Sequence, residues 1–212
     1  MSTGVKTGWF VVVLSVLMGC QTREIVKGDG KTLIFEDDFN RATLGSSWVR
    51  GEGEGGTGKW RIEDGALVGS DIKNDPLWWT GQLPDQARVE FDATALSDHG
   101  DLKFEIFGDG KVHASGYVVI FGGWKNSLDV IARLDEHGSD RKAQKSRRAL
   151  KGQTYKLAAE RIDGTLKWFV NGELVMSYPD EKPLVGAEHR GFSFNDWSAP
   201  VKFDNVKIYR LD

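Results

Sequence analysis

Apolar and polar residues alternate with a period of two along most of this chain, which is the pattern of β-strands that bury one face. Ala87–Ala95 (ARVEFDATA) and Leu102–Phe107 (LKFEIF) both alternate in this way. Tyr117–Phe121 (YVVIF) is apolar on both faces, which predicts a central strand. No long window shows the 3.6-residue period of a packed helix. The pattern therefore predicts an all-β protein.

Short turn sequences separate the predicted strands. Arg161–Tyr178 is predicted to be a β-hairpin, because Asn171-Gly172 supplies the two positive φ angles that a type I′ turn requires. Trp60–Ser70 is a second predicted hairpin, with its turn at Asp64-Gly65. Roughly a dozen short strands joined in this manner predict a two-sheet antiparallel β-sandwich. This domain is expected to occupy residues 32–212.

The N-terminus has a different pattern. Lys6 precedes the apolar run Trp9–Met18, which is too short to cross a bilayer comfortably but has the length of the apolar region of a signal peptide. The run ends at Leu17-Met18-Gly19-Cys20, which resembles the lipobox of bacterial lipoproteins. The resemblance implies that residues 1–19 are a signal peptide and that Cys20 is lipidated.

Cys20 is also the only cysteine of the chain, so the predicted domain has no disulfide bond. Residues 20–31 are mostly polar and are interpreted as a lipidated tether. The residue after the cysteine is Gln21 rather than Asp, which in bacterial lipoproteins implies the outer membrane. We therefore expect an exported protein that a lipid anchors there, facing the periplasm or the cell surface. A chance cysteine within a signal peptide or an anchor helix is the alternative.

Charge narrows the range of partners. The formal net charge of −3 and the lack of a basic stripe on a helix give no electrostatic reason to expect a nucleic-acid partner. One segment, residues 141–151, is nevertheless strongly basic. This basic segment can face anionic head groups, or it can be a solvated edge that prevents sheets from associating. Its basic residues are Arg141, Lys142, Lys145, Arg147, Arg148 and Lys151.

Four sequence motifs together resemble the concanavalin A-like lectin and glucanase jelly rolls. They are the strand ending in Asp37-Asp38-Phe39, the hairpin Trp60–Leu67, the hairpin Arg161–Gly172 and the closing strand Phe203–Ile208. Within that superfamily the chain looks most like laminin-G-like and 3-keto-disaccharide-hydrolase-like domains of exported bacterial proteins. The resemblance implies a jelly roll and a carbohydrate or glycan ligand.

The catalytic motif of the family 16 glucanases is incomplete here. In that family a strand carries Glu-x-Asp-x-x-Glu, which sets two carboxylates on one face for a retaining reaction. The corresponding string begins with Glu90 and Asp92, but Ala95 stands where the second glutamate belongs. A retaining hydrolase of this type is therefore not expected.

The 3-keto-disaccharide hydrolase type of enzyme remains an alternative. If the period of two holds, several charged side chains share the solvent-facing side of one sheet. Glu105 or Asp129, beside Lys103 or Arg133, would then form an acid–base pair with tuned pKa values. Ordinary cross-strand ion pairing is the competing interpretation.

Sugar binding requires exposed aromatic rings and a few planar polar groups. Trp124 and Trp197 lie in predicted loops, where a tryptophan is costly to expose unless it contacts something. Trp78 and Trp79 are adjacent in a predicted strand, so only one of them can face the core, and Trp79 is taken as the outer one. Arg133 and Asn195 are the expected polar partners. The loop tryptophans could alternatively fold back as lids over the sandwich.

Metal chemistry is restricted to one candidate. The four histidines lack the paired spacing of a zinc site, and no other cofactor is expected. Related sandwiches often bind calcium where the first and last strands meet, which implies Asp38 and Asp204 as ligands of a structural calcium.

The main hypothesis is a lipid-anchored, non-catalytic carbohydrate-binding protein. The alternatives are the enzyme described above and a structural or assembly lipoprotein of the cell envelope.

Overall fold

The computed structural model describes residues 30–212, and these form two antiparallel sheets packed face to face. The predicted all-β sandwich is confirmed. The predicted signal peptide, the lipidation site Cys20 and nearly all of the tether lie outside the described residues. Between residues 30 and 212 no helix is long and apolar enough to cross a membrane.

Within residues 30–212, fifteen strands follow one another, and one short helical turn lies between the eighth and the ninth. They are β1 (Lys31–Asp37), β2 (Trp48–Arg50), β3 (Arg61–Glu63), β4 (Ala66–Gly69), β5 (Leu77–Trp79), β6 (Ala87–Ala95), β7 (Leu102–Gly108), β8 (Tyr117–Gly122), α1 (Gly123–Asn126), β9 (Leu128–Arg133), β10 (Lys142–Lys145), β11 (Thr154–Ile162), β12 (Thr165–Val170), β13 (Glu173–Pro179), β14 (Gly191–Asn195) and β15 (Val201–Leu211).

The strands divide between two sheets, here called sheet I and sheet II. Sheet I has the order β13-β12-β11-β6-β15-β4-β3, and β1 also pairs with β15. Sheet II has the order β10-β9-β8-β7-β14-β5-β2. The hairpin predicted at Arg161–Tyr178 is formed by β12 and β13, and Asn171 (φ 52°) and Gly172 (φ 83°) both have the positive φ that a type I′ turn needs.

Aromatic side chains from the inner faces of both sheets fill the core. Phe91 and Phe203 from sheet I meet Phe104 and Phe194 from sheet II, and the rings of Phe194 and Phe203 stack at 4.3 Å between centroids. Such pairs contribute roughly 0.5–1.5 kcal/mol each beyond the burial of their area. This packing fixes which residues of sheet II face outward.

The outer face of sheet II is polar on one strand and apolar on the next two. On β7, Phe104 lies in the core, so its neighbours Lys103 and Glu105 point to the outer face. On β8 and β9 the outer face carries a separate small apolar cluster of Val118, Ile120, Val130 and Ala132. This combination gives the outer face of sheet II an apolar surface next to buried charges.

Candidate functional site

A pocket of about 650 Å³ lies over the outer face of sheet II, above β7 and β8. Lys103 and Ile120 form its floor, and loops that lie far apart in the sequence form its walls. Its volume is typical of small-molecule sites. The lining residues are Glu54, Asn74, His99, Asp101, Lys103, Ile120, Trp124, Lys125, Glu136, His137, Trp197, Ser198 and Ala199.

Trp124 enters the pocket from a backbone turn of unusual conformation. Trp124, Lys125 and Asn126 have φ angles of 49°, 57° and 65°, in the left-handed region that bulky residues rarely adopt. Each such residue costs about 1–3 kcal/mol unless its surroundings impose the conformation. Here the buried Asn126 imposes it. Its Nδ2 donates to the carbonyl oxygens of Asp98 (3.1 Å) and Ala149 (2.8 Å), and its Oδ1 accepts from the Ala149 N–H.

Trp197 enters the pocket from the loop between β14 and β15. Its backbone N–H donates to Asp101 Oδ2 at 2.9 Å, and 41% of its surface is exposed. Lys73 Nζ lies 4.6 Å from the centroid of its ring, and Arg141 Cζ lies 5.0 Å from that of Trp124. Lys73 and Arg141 do not line the pocket. Each cation therefore holds its ring by a cation–π contact without itself lining the pocket.

A network of buried polar groups supports the floor. Lys103 is only 2% exposed, and its Nζ donates to Asn74 Oδ1 and contacts Glu136 Oε2, each at 2.9 Å. His113 continues the network, because its Nε2 lies 3.7 Å from Glu136 Oε2 and its Nδ1 lies 3.4 Å from Glu105 Oε2. The buried ammonium group is thus compensated by an acidic partner rather than isolated.

The network separates the protonation states of two carboxyl groups. Burial and the nearby charge of Asp101 raise the pKa of Asp196 to about 8. Burial would also raise the pKa of Glu136, but hydrogen bonding to His113 and the charge of Lys103 lower it to about 2. At neutral pH, Glu136 is therefore ionised and Asp196 is mostly neutral. One oxygen of Asp196, Oδ1, is buried with no hydrogen-bond partner among residues 30–212.

The raised pKa of Asp196 predicts a stability that falls with rising pH. The native state binds one proton more than the unfolded state between the ordinary aspartate pKa of 3.8 and about 8, so the free energy of unfolding declines across that interval. Asp196→Asn cannot titrate and should lose much less stability between about pH 5 and pH 8. A smaller decline of stability with pH should remain in this variant, because the pKa of His113 is raised as well. Burial alone would lower that pKa, but the hydrogen bonds to Glu105 and Glu136 raise it by more.

Denaturant unfolding at several pH values measures this effect. Asp163→Asn is the matched control, because it makes the same substitution in the exposed Asp163-Gly164 turn. Equal pH slopes for the wild type and Asp196→Asn would show that Asp196 is ionised in the native state.

Two of the predicted acid–base candidates lie away from the pocket. Ile131 packs in the core, so Asp129 and Arg133, which share its face of β9, point inward as well. The buried Asp129 accepts the N–H groups of Gly122 and Arg147. Arg133 binds Asp180 Oδ2 at 2.9 Å. The expectation that Asp129 and Arg133 face the same surface as Lys103 is therefore wrong.

Other predicted residues lie beside or behind the pocket. Glu105 faces outward as predicted but is covered, and it accepts backbone N–H groups of the β7–β8 loop. Asn195 is buried, with Nδ2 2.9 Å from His113 Nδ1. Trp79 does not reach the pocket, since its ring packs 5.0 Å from that of Phe35. Its neighbour Trp78 is the outward-facing one, and loops bury it completely. Trp124, Trp197 and Lys103 do line the same pocket.

Glu136 and Asn74 were missed by the sequence reasoning. Both lie in irregular loops, and neither belongs to a motif. The one available signal was that Lys103 sits between core residues of a predicted strand. A lysine buried there needs an acidic partner, although its sequence position could not be deduced.

The predicted calcium ligands do not form a recognisable metal site. Burial raises the pKa of Asp204, and the nearby charges of Asp92 and Asp38 raise it further. Asp38 and Asp204 therefore lie near each other. Within residues 30–212, however, no three His, Cys, Asp or Glu side chains are arranged to hold an ion. Asp92 is instead bound by Lys156 and Asn205. The structural calcium stays a prediction, which these side chains alone do not fit.

The incomplete glucanase motif lies on the other sheet. Glu90 and Asp92 are on β6 of sheet I, where Glu90 pairs with Arg88 and Lys31. They are remote from the pocket on sheet II and serve as members of surface ion pairs.

Comparisons with known proteins agree with this architecture. No protein-family model matches the chain, and no curated protein sequence does. Among solved structures, the carbohydrate-binding module CBM66 from Bacillus subtilis is 17% identical with a TM-score of 0.58, and the match covers 76% of this chain and 94% of the module. The β-glucanase of Bacillus licheniformis is 13% identical with a TM-score of 0.58, over 88% of this chain and 100% of the enzyme.

A laminarinase from Flavobacterium sp. is 12% identical with a TM-score of 0.58, over 84% of this chain and 100% of the enzyme. At these identities the similarity concerns the fold. The order of strands, the two antiparallel sheets and these three structures together show that the chain has the concanavalin A-like jelly-roll fold.

Proposed function

We propose that the pocket on sheet II binds a carbohydrate. The observation that carries the proposal is that Trp124 and Trp197, from two separate loops, reach one pocket whose floor holds charged groups. Aromatic faces suit the C–H surfaces of a sugar ring, while His99, Asp101 and Ser198 of the lining offer donors and acceptors for hydroxyl groups. The similarity to a carbohydrate-binding module and to two glucanases supports the same class of ligand.

Binding is better supported than catalysis. Of the two carboxyl groups with well-separated pKa values, Asp196 is fully buried and does not line the pocket. Glu136 does line it, but a carboxylate with a pKa of about 2 is a weak base and is already paired with Lys103. The other two carboxylates of the lining, Glu54 and Asp101, accept hydrogen bonds from Asn74 Nδ2 and from the Trp197 N–H. The two carboxyl groups that a glycosidase of the usual kind uses would therefore have to come from groups already engaged with the protein.

Replacing either tryptophan should weaken binding. On a glycan array and then by calorimetry, we expect Trp124→Ala and Trp197→Ala each to lower the affinity for the best glycan about tenfold, equivalent to about 1.4 kcal/mol. The reason is that each substitution removes one aromatic face of the pocket.

Tyr209→Ala is the matched control for these variants. Lys31 Nζ lies 4.4 Å from the ring centroid of Tyr209, which reproduces the pairing of Lys73 with Trp197, but Tyr209 is on sheet I. It should leave the affinity unchanged. Absence of any glycan ligand, or equal binding by all four proteins, would contradict the proposed function.

We further propose that the protein is lipid-anchored through Cys20 at the outer membrane. The lone cysteine after the apolar run supports this. In cells fed with labelled palmitate, the wild-type protein should carry the label and fractionate with membranes. Cys20→Ser should lose both properties. A wild-type protein without label would contradict the anchor.

A further inference from the structure

We infer that the pocket binds the end of a glycan chain rather than its interior. The inference rests on the proposed carbohydrate binding and concerns the shape of the site. A chain that continues in both directions needs a cleft that is open on two sides. Loops occupy the outer face of sheet II on both sides of Lys103, and a third loop covers it along the strands.

The first wall is the β9–β10 loop, residues 134–141. It folds back over the sheet, where Glu136 contacts Lys103 and the ring of His137 meets that of Trp124 edge-on at 5.5 Å. Arg141 Nη1 donates to the carbonyl oxygen of Glu136 at 2.7 Å, which ties the two ends of the loop together. This wall closes the pocket on the side of β9 and β10.

The second wall consists of residues 51–58 and 70–76, on the side of β5 and β2. Asn74 Nδ2 donates to Glu54 Oε1 at 3.1 Å, and the Gly55 N–H donates to Asp75 Oδ1 at 3.1 Å. The two segments are in direct backbone contact, since a Cβ atom at Gly53 would collide with the carbonyl oxygen of Asn74. The segment from residue 51 also covers Trp78, which is fully buried on the face where a cleft would continue.

The third wall is the β7–β8 loop, residues 109–116, which lies behind the lining at the other end of the strands, where His113 Nε2 is 3.7 Å from Glu136 Oε2. Its residue Val112 forms a parallel bridge with Glu52, which joins the third wall to the second. Glu105 anchors it from the sheet by accepting the N–H groups of Ala114, Ser115 and Gly116 at 2.8–2.9 Å.

These three walls determine how a glycan can enter. A chain that crossed sheet II from edge to edge would have to pass through the contacts of Glu136 with Lys103 and of Asn74 with Glu54. The rest of the lining, including His99, Asp101 and Ser198, belongs to loops at one end of the strands. The pocket thus receives a terminal unit between the tryptophans, with the remainder of the chain directed away from the sheet.

The test measures affinity per mole of chain as a function of chain length. The probes are linear oligosaccharides of glucose, galactose, mannose, xylose and fructose with three to eight units, with free and with borohydride-reduced ends, together with cyclic glucans. For the sugar whose oligosaccharides bind, calorimetry on the purified protein should give a dissociation constant that stays the same within about twofold from three to eight units. Cyclic glucans, which have no ends, should not bind.

An interior binder would behave differently. Eight units offer six overlapping windows of three, so the affinity per chain would rise about sixfold, and cyclic glucans would bind as well as linear ones. Either result would overturn the chain-end inference while leaving carbohydrate binding intact. Absence of binding by every probe would contradict carbohydrate binding itself, and the chain-end inference with it. A loss of affinity on reduction identifies the reducing end as the bound one.

Discussion

Lys103→Met should lower the free energy of unfolding by about 3–5 kcal/mol, the range observed when one partner of a buried ion pair is removed. Lys103 is 2% exposed and contacts Glu136 and Asn74 at 2.9 Å each. Methionine fills a similar volume but leaves the carboxylate of Glu136 without its ammonium partner. Denaturant unfolding monitored by tryptophan fluorescence measures the change.

Two further variants separate charge from packing. In Lys103→Met/Glu136→Leu both charges are replaced by apolar side chains, so the double variant should be more stable than Lys103→Met alone. Lys151→Met makes the same substitution at an exposed position and should change stability by no more than about 0.5 kcal/mol. If Lys103→Met and Lys151→Met are equally stable, the buried pair contributes nothing and the description of the floor is wrong.

Glu105→Ala should destabilise the protein by about 3–5 kcal/mol, because three backbone N–H groups would lose a charged acceptor. The carboxylate of Glu105 is fully buried and accepts from Ala114, Ser115 and Gly116. The same change should release the β7–β8 loop, which lies behind the pocket lining. Hydrogen exchange of these three amides should become faster than that of the β7–β8 ladder.

Glu105→Gln and Glu188→Ala are the comparisons for this result. The glutamine side chain keeps one carbonyl oxygen that can accept from the backbone N–H groups, but its NH₂ group replaces the other acceptor oxygen. The stability of Glu105→Gln should therefore lie between those of the wild type and Glu105→Ala. Glu188 is exposed, and its replacement should have little effect. Unchanged exchange at Ala114–Gly116 in Glu105→Ala would show that the carboxylate does not hold the loop.

The fold could be predicted from the sequence because its signals are local. Alternation along β6 and β7, and the Asn-Gly turn between β12 and β13, each depend on residues within one strand or hairpin. Alternation also shows which residues share a face. It does not show which face is the inner one. For that reason the predicted outward direction of Asp129 and Arg133 is wrong, since they share a face of β9 with the core residue Ile131.

The candidate site was harder to predict than the fold, because it is formed by loops that lie far apart in the sequence. The positions of Trp124 and Trp197 in loops made them visible as candidates. The contact of Lys103 with Glu136 depends on the β9–β10 loop folding back across sheet II. No periodic or turn signal encodes that path, because it is determined by long-range packing.

The position of β15 has a consequence for how the chain folds during synthesis. This strand, Val201–Leu211, follows the other fourteen described strands along the chain, yet it lies between β6 and β4 in sheet I and also pairs with β1. Until the ribosome has released these residues, β1, β4 and β6 lack their common partner. A nascent or truncated chain that stops before Val201 would therefore expose unpaired strands, and it would depend on chaperones to avoid aggregation.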